Sequence, residues 1–487
     1  MPEIIRSLST FKKINTSSLC RWGIPLLFTF SYVILVIKPD LRLAIPFLIA
    51  VTSLQVILLA TVYYLGEKNI IYWRPWFILF FALLFRLLFL FKDPQFSDDI
   101  YRYIWDGMQS LAGNNPYKLA PDIAPILTDA MGILREKVNH SELVTIYPPA
   151  SQLIFAGGIL LGKNIFGIKI LLIIFDLATC FLIIRLLSIL NISPYKAVLY
   201  AWHPLPIIEI AGSGHIDGTG FLFLFLALLI LFRQNSTEIP IKKNTGSRGR
   251  FYIPRLFSGV LFSLSVLIKF FPLVFLPAVM LPGRLRSKAV FLTGFITGTL
   301  LLCLFYMPYL KNCFVTLDHY LHNWEFAGFA FRFLKETVSD WKLPRKFLLA
   351  VFIAATTLLY IKFYLHCLIR LPTEPAYGPD ILFNLLDTLY MISFTFLLLT
   401  PTLHPWYALA MVSFLPFTAG PAGLTFSWSV FLGYQVLVPY TILGEWDDNI
   451  QTAFMIWAAP VFTITINFIT RLIIKLHLFS KHINQSN

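Results

Sequence analysis

The side chains best suited to chemistry stand in a few short polar motifs: SDDIYRYIWDG at residues 97–107, GNNPY at 113–117, TIYPP at 145–149, GSGHID at 212–217, a lone Lys269, and HPWY at 404–407. Asp98 and Asp99 are adjacent, so on a regular backbone they diverge, one facing a substrate while the other anchors the chain. A carboxylate so placed suits a general base for a hydroxyl nucleophile. Ser97, Asp98 and Asp99 also suit the cap of the amphipathic stretch that follows. Arg102, Lys118 and Lys269 are candidates to hold a phosphate, arginine through a bidentate fork. The plainer alternatives are surface charge for Arg102 and Lys118, and snorkelling for Lys269.

Tyr147, followed by Pro148 and Pro149, forms a rigid extended corner that either aims an aromatic edge into a cavity or simply ends a loop. His215 and Asp217 sit in a turn whose glycines permit close backbone approach. Glu209 and Asp176 interrupt apolar runs. Acids are costly in lipid and so are functional candidates, with interhelical hydrogen bonding as the alternative. Tyr103, Asp106, Tyr117, His404, Trp406 and Tyr407 complete the expected substrate contacts. Glu445, Asp447 and Asp448 are weaker candidates, and with no ligand-like spacing around them no metal and no other cofactor is expected.

These motifs are held by a very apolar chain. Of 487 residues, 57% are hydrophobic and only 13% charged, and aromatic residues make up 16%. Soluble domains carry about 25% charged residues, so the reading is an all-α polytopic membrane protein. The net charge of +14 does not indicate nucleic acid, because the basic residues collect in short segments between apolar runs, the positive-inside pattern. Cys20, Cys180, Cys303 and Cys367 lie in or beside apolar runs and Cys313 in a polar loop, with no disulfide framework. The start of the chain reads as a retained first span, with Arg6, Lys12, Lys13 and Arg21 cytoplasmic.

Three apolar runs near 22–37, 43–65 and 75–92 each approach the roughly 20 residues that a bilayer needs. Starting inside, they place residues 93–165 outside as a large loop, too aromatic to be disordered and so long that a functional role is expected. Residues 150–161 are expected to lie along the interface. If they crossed, the basic connection with Lys242, Lys243, Arg248, Arg250 and Arg255 would face outward. Residues 257–282 are expected to enter and return as two half-length helices meeting at Lys269, broken by Pro272. A second outer loop covers 310–346. Later spans near 347–366, 379–400, 405–418, 424–441 and 452–474 bring Arg471, Lys475 and Lys481 inside. The total is about thirteen crossings, within eleven to fourteen, in one integral-membrane domain over 1–487 with no separate soluble part. All the unusual polar motifs then share the outer side.

The succession SDDIYRYIWDG, GNNPY, TIYPP, YAWHPLPIIEIAGSGHID, VLIKFFP and HPWY resembles the multispanning GT-C glycosyltransferases, specifically the bacterial enzymes that use polyprenyl-phosphate-mannose. The resemblance runs from about residue 91 to residue 407. It departs from the family pattern in having two additional spans before the first loop and Ile216 in the GHID turn. The resemblance implies that the first outer loop carries the catalytic acid, Asp98 or Asp99, with Asp98 favoured. It implies a polyprenyl-monophosphate sugar as donor, mannose foremost, and a lipid-linked or cell-envelope glycan as acceptor. The expected reaction is a single inverting displacement at the outer face of the cell membrane, with Lys269 or Arg102 meeting the departing phosphate. A transporter of lipid-linked sugars is the competing reading. Inverted-repeat transporters show matched broken helices in two halves, whereas this chain shows one break. A purely structural scaffold leaves the clustered polar motifs unexplained.

Overall fold

The computed structural model describes residues 16–126, 128–233, 248–338, 342–370, 377–418 and 420–486. In chain order the helices are α1 (Thr16–Ile37), α2 (Ile45–Glu67), α3 (Pro75–Leu90), α4 (Asp99–Leu111), α5 (Asp129–Arg135), α6 (Pro149–Leu161), α7 (Ile165–Ile189), α8 (Thr219–Arg233) and α9 (Arg248–Ile268). They continue as α10 (Leu285–Leu304), α11 (Lys311–Asn323), α12 (Phe329–Thr337), α13 (Lys342–Arg370), α14 (Pro379–Leu399), α15 (Pro421–Ser429) and α16 (Ile450–Ser486). The described residues contain no strand, only isolated bridges from Phe326 and Ala327 to Thr402. The protein is therefore all-α and, by its apolar helices, a membrane protein.

Eight helices among the described residues are long and apolar enough to cross a bilayer, and five more apolar helices have 10–17 residues. The expected count of about thirteen is not reached by full-length helices, and proline is the physical reason. The run at 196–211 breaks into short pieces around Pro204 and Pro206, ending in a π-helical turn at Ile207–Gly212. The run at 405–418 likewise opens with Pro405 and breaks again before Pro416. A proline removes one helical hydrogen bond and clashes with the preceding turn. Lys242 and Lys243, expected in the basic connection, and Arg6, Lys12 and Lys13 lie outside the described residues, as do the side chains of Arg248, Arg250, Arg471, Lys475 and Lys481.

The expected pair of half-helices at 257–282 is corrected. α9 is 21 residues long and only the return, Phe271 to Met280, is short. α9 and α10 run parallel at close quarters, because a Cβ on Gly294 would lie 2.0 Å from the Leu256 carbonyl and one on Gly298 2.3 Å from Ser263 Oγ. Two parallel helices require the chain to come back between them. Its return ends beside Tyr377, whose hydroxyl donates to the Pro282 carbonyl at 3.4 Å and whose ring carries Arg255 from the start of α9. The break at Lys269 therefore lies at the other end of the layer.

The long loop is folded, as its composition predicts. α4 begins where Ser97 Oγ accepts from the Asp99 amide at 3.2 Å, and it ends at Gly113, whose φ of 79° suits glycine. α6 packs across α4 at Gly107, where a Cβ would come within 2.7 Å of the Phe155 carbonyl. Its 13 residues rise only about 20 Å, too short to span. GNNPY docks on the 306–313 segment: Asn115 donates to the Tyr306 carbonyl at 3.0 Å, and Asn312 donates to that of Tyr117 at 2.8 Å. Lys169 of α7 donates to the Phe89 and Lys92 carbonyls at 2.7 and 2.5 Å, tying α7 to the loop's first residues.

Candidate active site

Asp99 is the point on which separate parts of the chain converge. Its carboxylate accepts from Asn139 Nδ2 at 2.9 Å and from the Tyr147 hydroxyl at 3.1 Å. Lys269 lies over the Tyr147 ring, 5.2 Å from its centroid, and pairs with Asp217 Oδ1 at 3.1 Å. The GSGHID turn reaches this place because Gly214, at φ 80°, lets the backbone press on Ile100 of α4, where a Cβ would stand 2.5 Å from Ile100 Cδ1. His215 then packs against Trp406 with centroids 4.0 Å apart.

HPWY closes another side. His404 stacks between Trp406 at 4.4 Å and Phe326 at 4.8 Å, and the Tyr407 and Tyr320 hydroxyls meet at 2.5 Å. The second loop is held there by backbone bonds from Leu403 to the Phe326 carbonyl at 2.7 Å and from Phe326 to the Pro401 carbonyl at 3.2 Å. Asp448 locks the same loop by accepting from Arg332 at 2.5 Å.

The electrostatics separate the two candidate acids. Burial disfavours ionisation of Asp99, but the His215 ring when it carries a proton, the Asn139 hydrogen bond and the Lys269 ammonium outweigh it and hold its carboxyl below the usual range. Asp98 points the other way, is exposed, and has its carboxyl pushed up by partial burial and by the Asp99 charge, against the pull of Arg42. It makes no capping bond. Burial pushes His404 down to about 3 and also lowers His215, so both rings are neutral at neutral pH. Both ring nitrogens of His215 and Oδ2 of Asp217 are buried with no hydrogen-bond partner among the described residues. A substrate hydroxyl or a water has groups to meet there, since a buried polar atom without a partner costs about 1–3 kcal/mol.

Other expected residues are placed elsewhere. Arg102 is buried, pairs with Asp106 at 3.1 Å and donates to the Leu143 carbonyl at 2.9 Å. Rather than standing free for a phosphate, it braces the loop together with Asp106, which also accepts from Gln152 at 3.3 Å. Lys118 is exposed over the Tyr309 ring at 5.6 Å, on the docked GNNPY turn. Tyr117 is fully buried and donates to the Tyr147 carbonyl at 2.7 Å, so it positions Tyr147. Tyr103 stacks on Phe155 at 4.4 Å and meets Tyr147 edge-on at 4.9 Å. Glu209, in the π-helical turn, accepts from the Tyr434 hydroxyl at 2.7 Å, with its other oxygen 4.0 Å from His215 Nε2. Asp176 pairs with Arg86 at 2.6 Å in the helical core, away from the cluster.

Asn139, Tyr320 and Tyr434 escape the motif reading. Each is an ordinary polar residue in its local context, and only the fold sets it against a motif 40, 87 or 225 residues distant.

Residues 47–282 match the family described as MptA_B, alpha-(1->6)-mannopyranosyltransferase, N-terminal domain. No curated protein and no solved structure matches the chain. The matched region contains Asp99, Tyr147, Glu209, His215, Asp217 and Lys269, while the aromatic wall of His404, Trp406, Tyr407 and Tyr434 lies beyond it. Over residues 47–282 the chain is thus similar to the N-terminal domain of the alpha-(1->6)-mannopyranosyltransferases, and it is a glycosyltransferase.

Proposed function

We propose that this membrane glycosyltransferase, of GT-C type, moves mannose from a polyprenyl-monophosphate donor to a hydroxyl of a lipid-linked or envelope glycan at the outer face of the cell membrane. The observation that carries this reading is the meeting of Asp99 with the Lys269–Asp217 pair and the unsatisfied His215 ring, at the end of the helical layer opposite Arg255 and Tyr377. Asp99, held ionised, takes the proton of the acceptor hydroxyl. The oxygen attacks the anomeric carbon as the bond from that carbon to the phosphate oxygen breaks, and the configuration inverts. An α-linked product then requires a β-linked donor.

The leaving group departs as polyprenyl monophosphate and Lys269 meets its charge. An ammonium has three donors, so Lys269 keeps Asp217 while it holds a phosphate oxygen. Its side chain is 29% exposed, which leaves it reachable. Fixed positive charge aimed at a developing anion is a large contribution in a site of low dielectric. No metal takes part in this scheme. The base moves from Asp98 to Asp99, because Asp98 faces away from every other member of the cluster.

The test supplies purified full-length protein with β-mannosyl polyprenyl phosphate or with nucleotide-linked mannose, together with extracted glycan acceptors. Transfer from the polyprenyl donor alone, giving an α linkage, is expected. Transfer from the nucleotide donor alone overturns the donor assignment.

A further inference from the structure

At the end of the layer away from Asp99, the structure holds a partly open space. A cavity of about 440 Å³ lies between the last turns of α7 and α8 and the start of α14, lined among others by Arg185, Asn191, Phe232, Arg233, Tyr377 and Gly378. α7 fixes how far this is from the site. Lys169 is bonded to the Lys92 carbonyl beside the catalytic loop, and Arg185 stands sixteen residues further along the same helix, roughly 24 Å.

We infer that this cavity is a binding site for a phosphate-bearing anion, the headgroup of an acidic phospholipid or a soluble phosphate. Among the described residues neither Arg185 nor Arg233 has an ion pair or hydrogen bond, and none that lines the cavity is a carboxylate. Asp380, just beyond the lining, is already engaged by His366 at 2.8 Å and Arg370 at 3.4 Å. Two arginines line one space, and a guanidinium is able to grip two oxygens of a phosphate. Both side chains are exposed and border a space that is open to one side. Part of the remaining wall is apolar, with Ile189, Leu229 and Phe232, and Phe232 meets Tyr377 edge to face at 5.3 Å. A ligand with an anionic head and a greasy body fits both surfaces, and the position at the helix ends offers a lipid direct entry.

The experiment is native mass spectrometry and thermal denaturation of the full-length protein in neutral detergent. The additions are phosphatidylglycerol, phosphatidylcholine or inorganic phosphate, given to the wild type, R185Q/R233Q and R185K/R233K. Retention and stabilisation by phosphatidylglycerol over phosphatidylcholine are expected. Affinity should fall at least tenfold in the glutamine variant, as loss of charged hydrogen bonds implies, and be partly kept in the lysine variant, which retains the charge but not the fork. Stabilisation by inorganic phosphate without lipid selectivity, also lost in R185Q/R233Q, assigns the site to a soluble phosphate. Equal binding of all three additions by wild type and R185Q/R233Q overturns the proposal. The lysine variant guards against loss of fold as the cause, and sugar transfer in detergent without added anion should be the same in all three proteins.

Discussion

Asp176 and Asp99 are both carboxylates drawn into networks by residues distant in sequence, and the chain completes one network while leaving the other open. Asp176 takes Arg86 Nε and the Tyr200 hydroxyl at 2.6 Å each, and Arg86 spends further hydrogens on the Ala82 and Ala201 carbonyls at 3.0 and 2.8 Å. Its side chain and that of Arg86 are 1% and 0% exposed. Around Asp99 the neighbouring Lys269–Asp217 pair keeps 29% and 12% exposure, and His215 has both ring nitrogens unused. An acid within an apolar chain is thus no sign of function by itself. The sign is unfinished hydrogen bonding beside a reachable cation.

The most severe test of this contrast is Asp99→Asn. Loss of a general base costs on the order of 100 to 10,000-fold in turnover, with thermal stability little changed because Asn keeps the shape of Asp. Asp98→Asn should cost only a few-fold at most, since Asp98 is exposed and makes no capping bond. The readout is mannosyl transfer by purified variants. The reverse order of severity would return the base to Asp98.

Asp176→Ala should show the opposite behaviour. It leaves Arg86 charged and unpaired, a loss of about 3–5 kcal/mol, seen as reduced yield and a lower Tm, while transfer per folded molecule persists. A stable but inactive Asp176→Ala would break the comparison, because the complete network would then be catalytic.

A smaller effect is expected at the cation. Lys269→Gln should raise the donor KM roughly ten- to hundredfold, the weight of a charged hydrogen bond, and leave the acceptor KM unchanged. Lys269→Arg should recover part of the loss. An unaltered donor titration removes Lys269 from the phosphate site.

The smallest expected effect is that of pH. The Asp99 carboxyl is held below its usual range, so its ionised form is present above the ordinary carboxylate value of about 3.9 and is lost only as pH falls through the depressed native value. The stability it contributes is lost over the same acid window. His215 and His404 are neutral near pH 7, being depressed by burial. The profile of kcat/KM should therefore show no inflection near the ordinary histidine value of about 6.5, and one there would show that a ring carries the proton instead.

The sequence by itself determined the class, the α content and the identity of the motifs, because apolar run length and charge placement are local properties that a bilayer reads directly. It located the break at Lys269 through Pro272 and marked 93–165 as a folded loop, because loop length and aromatic content are also visible in the chain. It drew Glu209, His215, Asp217, Trp406 and the two aspartates into one list of candidates. Tertiary structure decided which of them meet. Asp176 reads like Asp99 until Arg86, 90 residues away, is seen to neutralise it. Arg102 reads like a phosphate ligand until Asp106, one turn on, is seen to hold it buried. Asp98 and Asp99 are interchangeable on paper, and only the direction in which α4 presents each side chain separates them. Asn139 has no mark of its own and becomes a partner of Asp99 only because the loop folds back across 40 residues. Hydrogen bonding and charge pairing act over about 3 Å whatever the separation along the chain, so the partners that silence one acid and free another are settled only when the helices have packed.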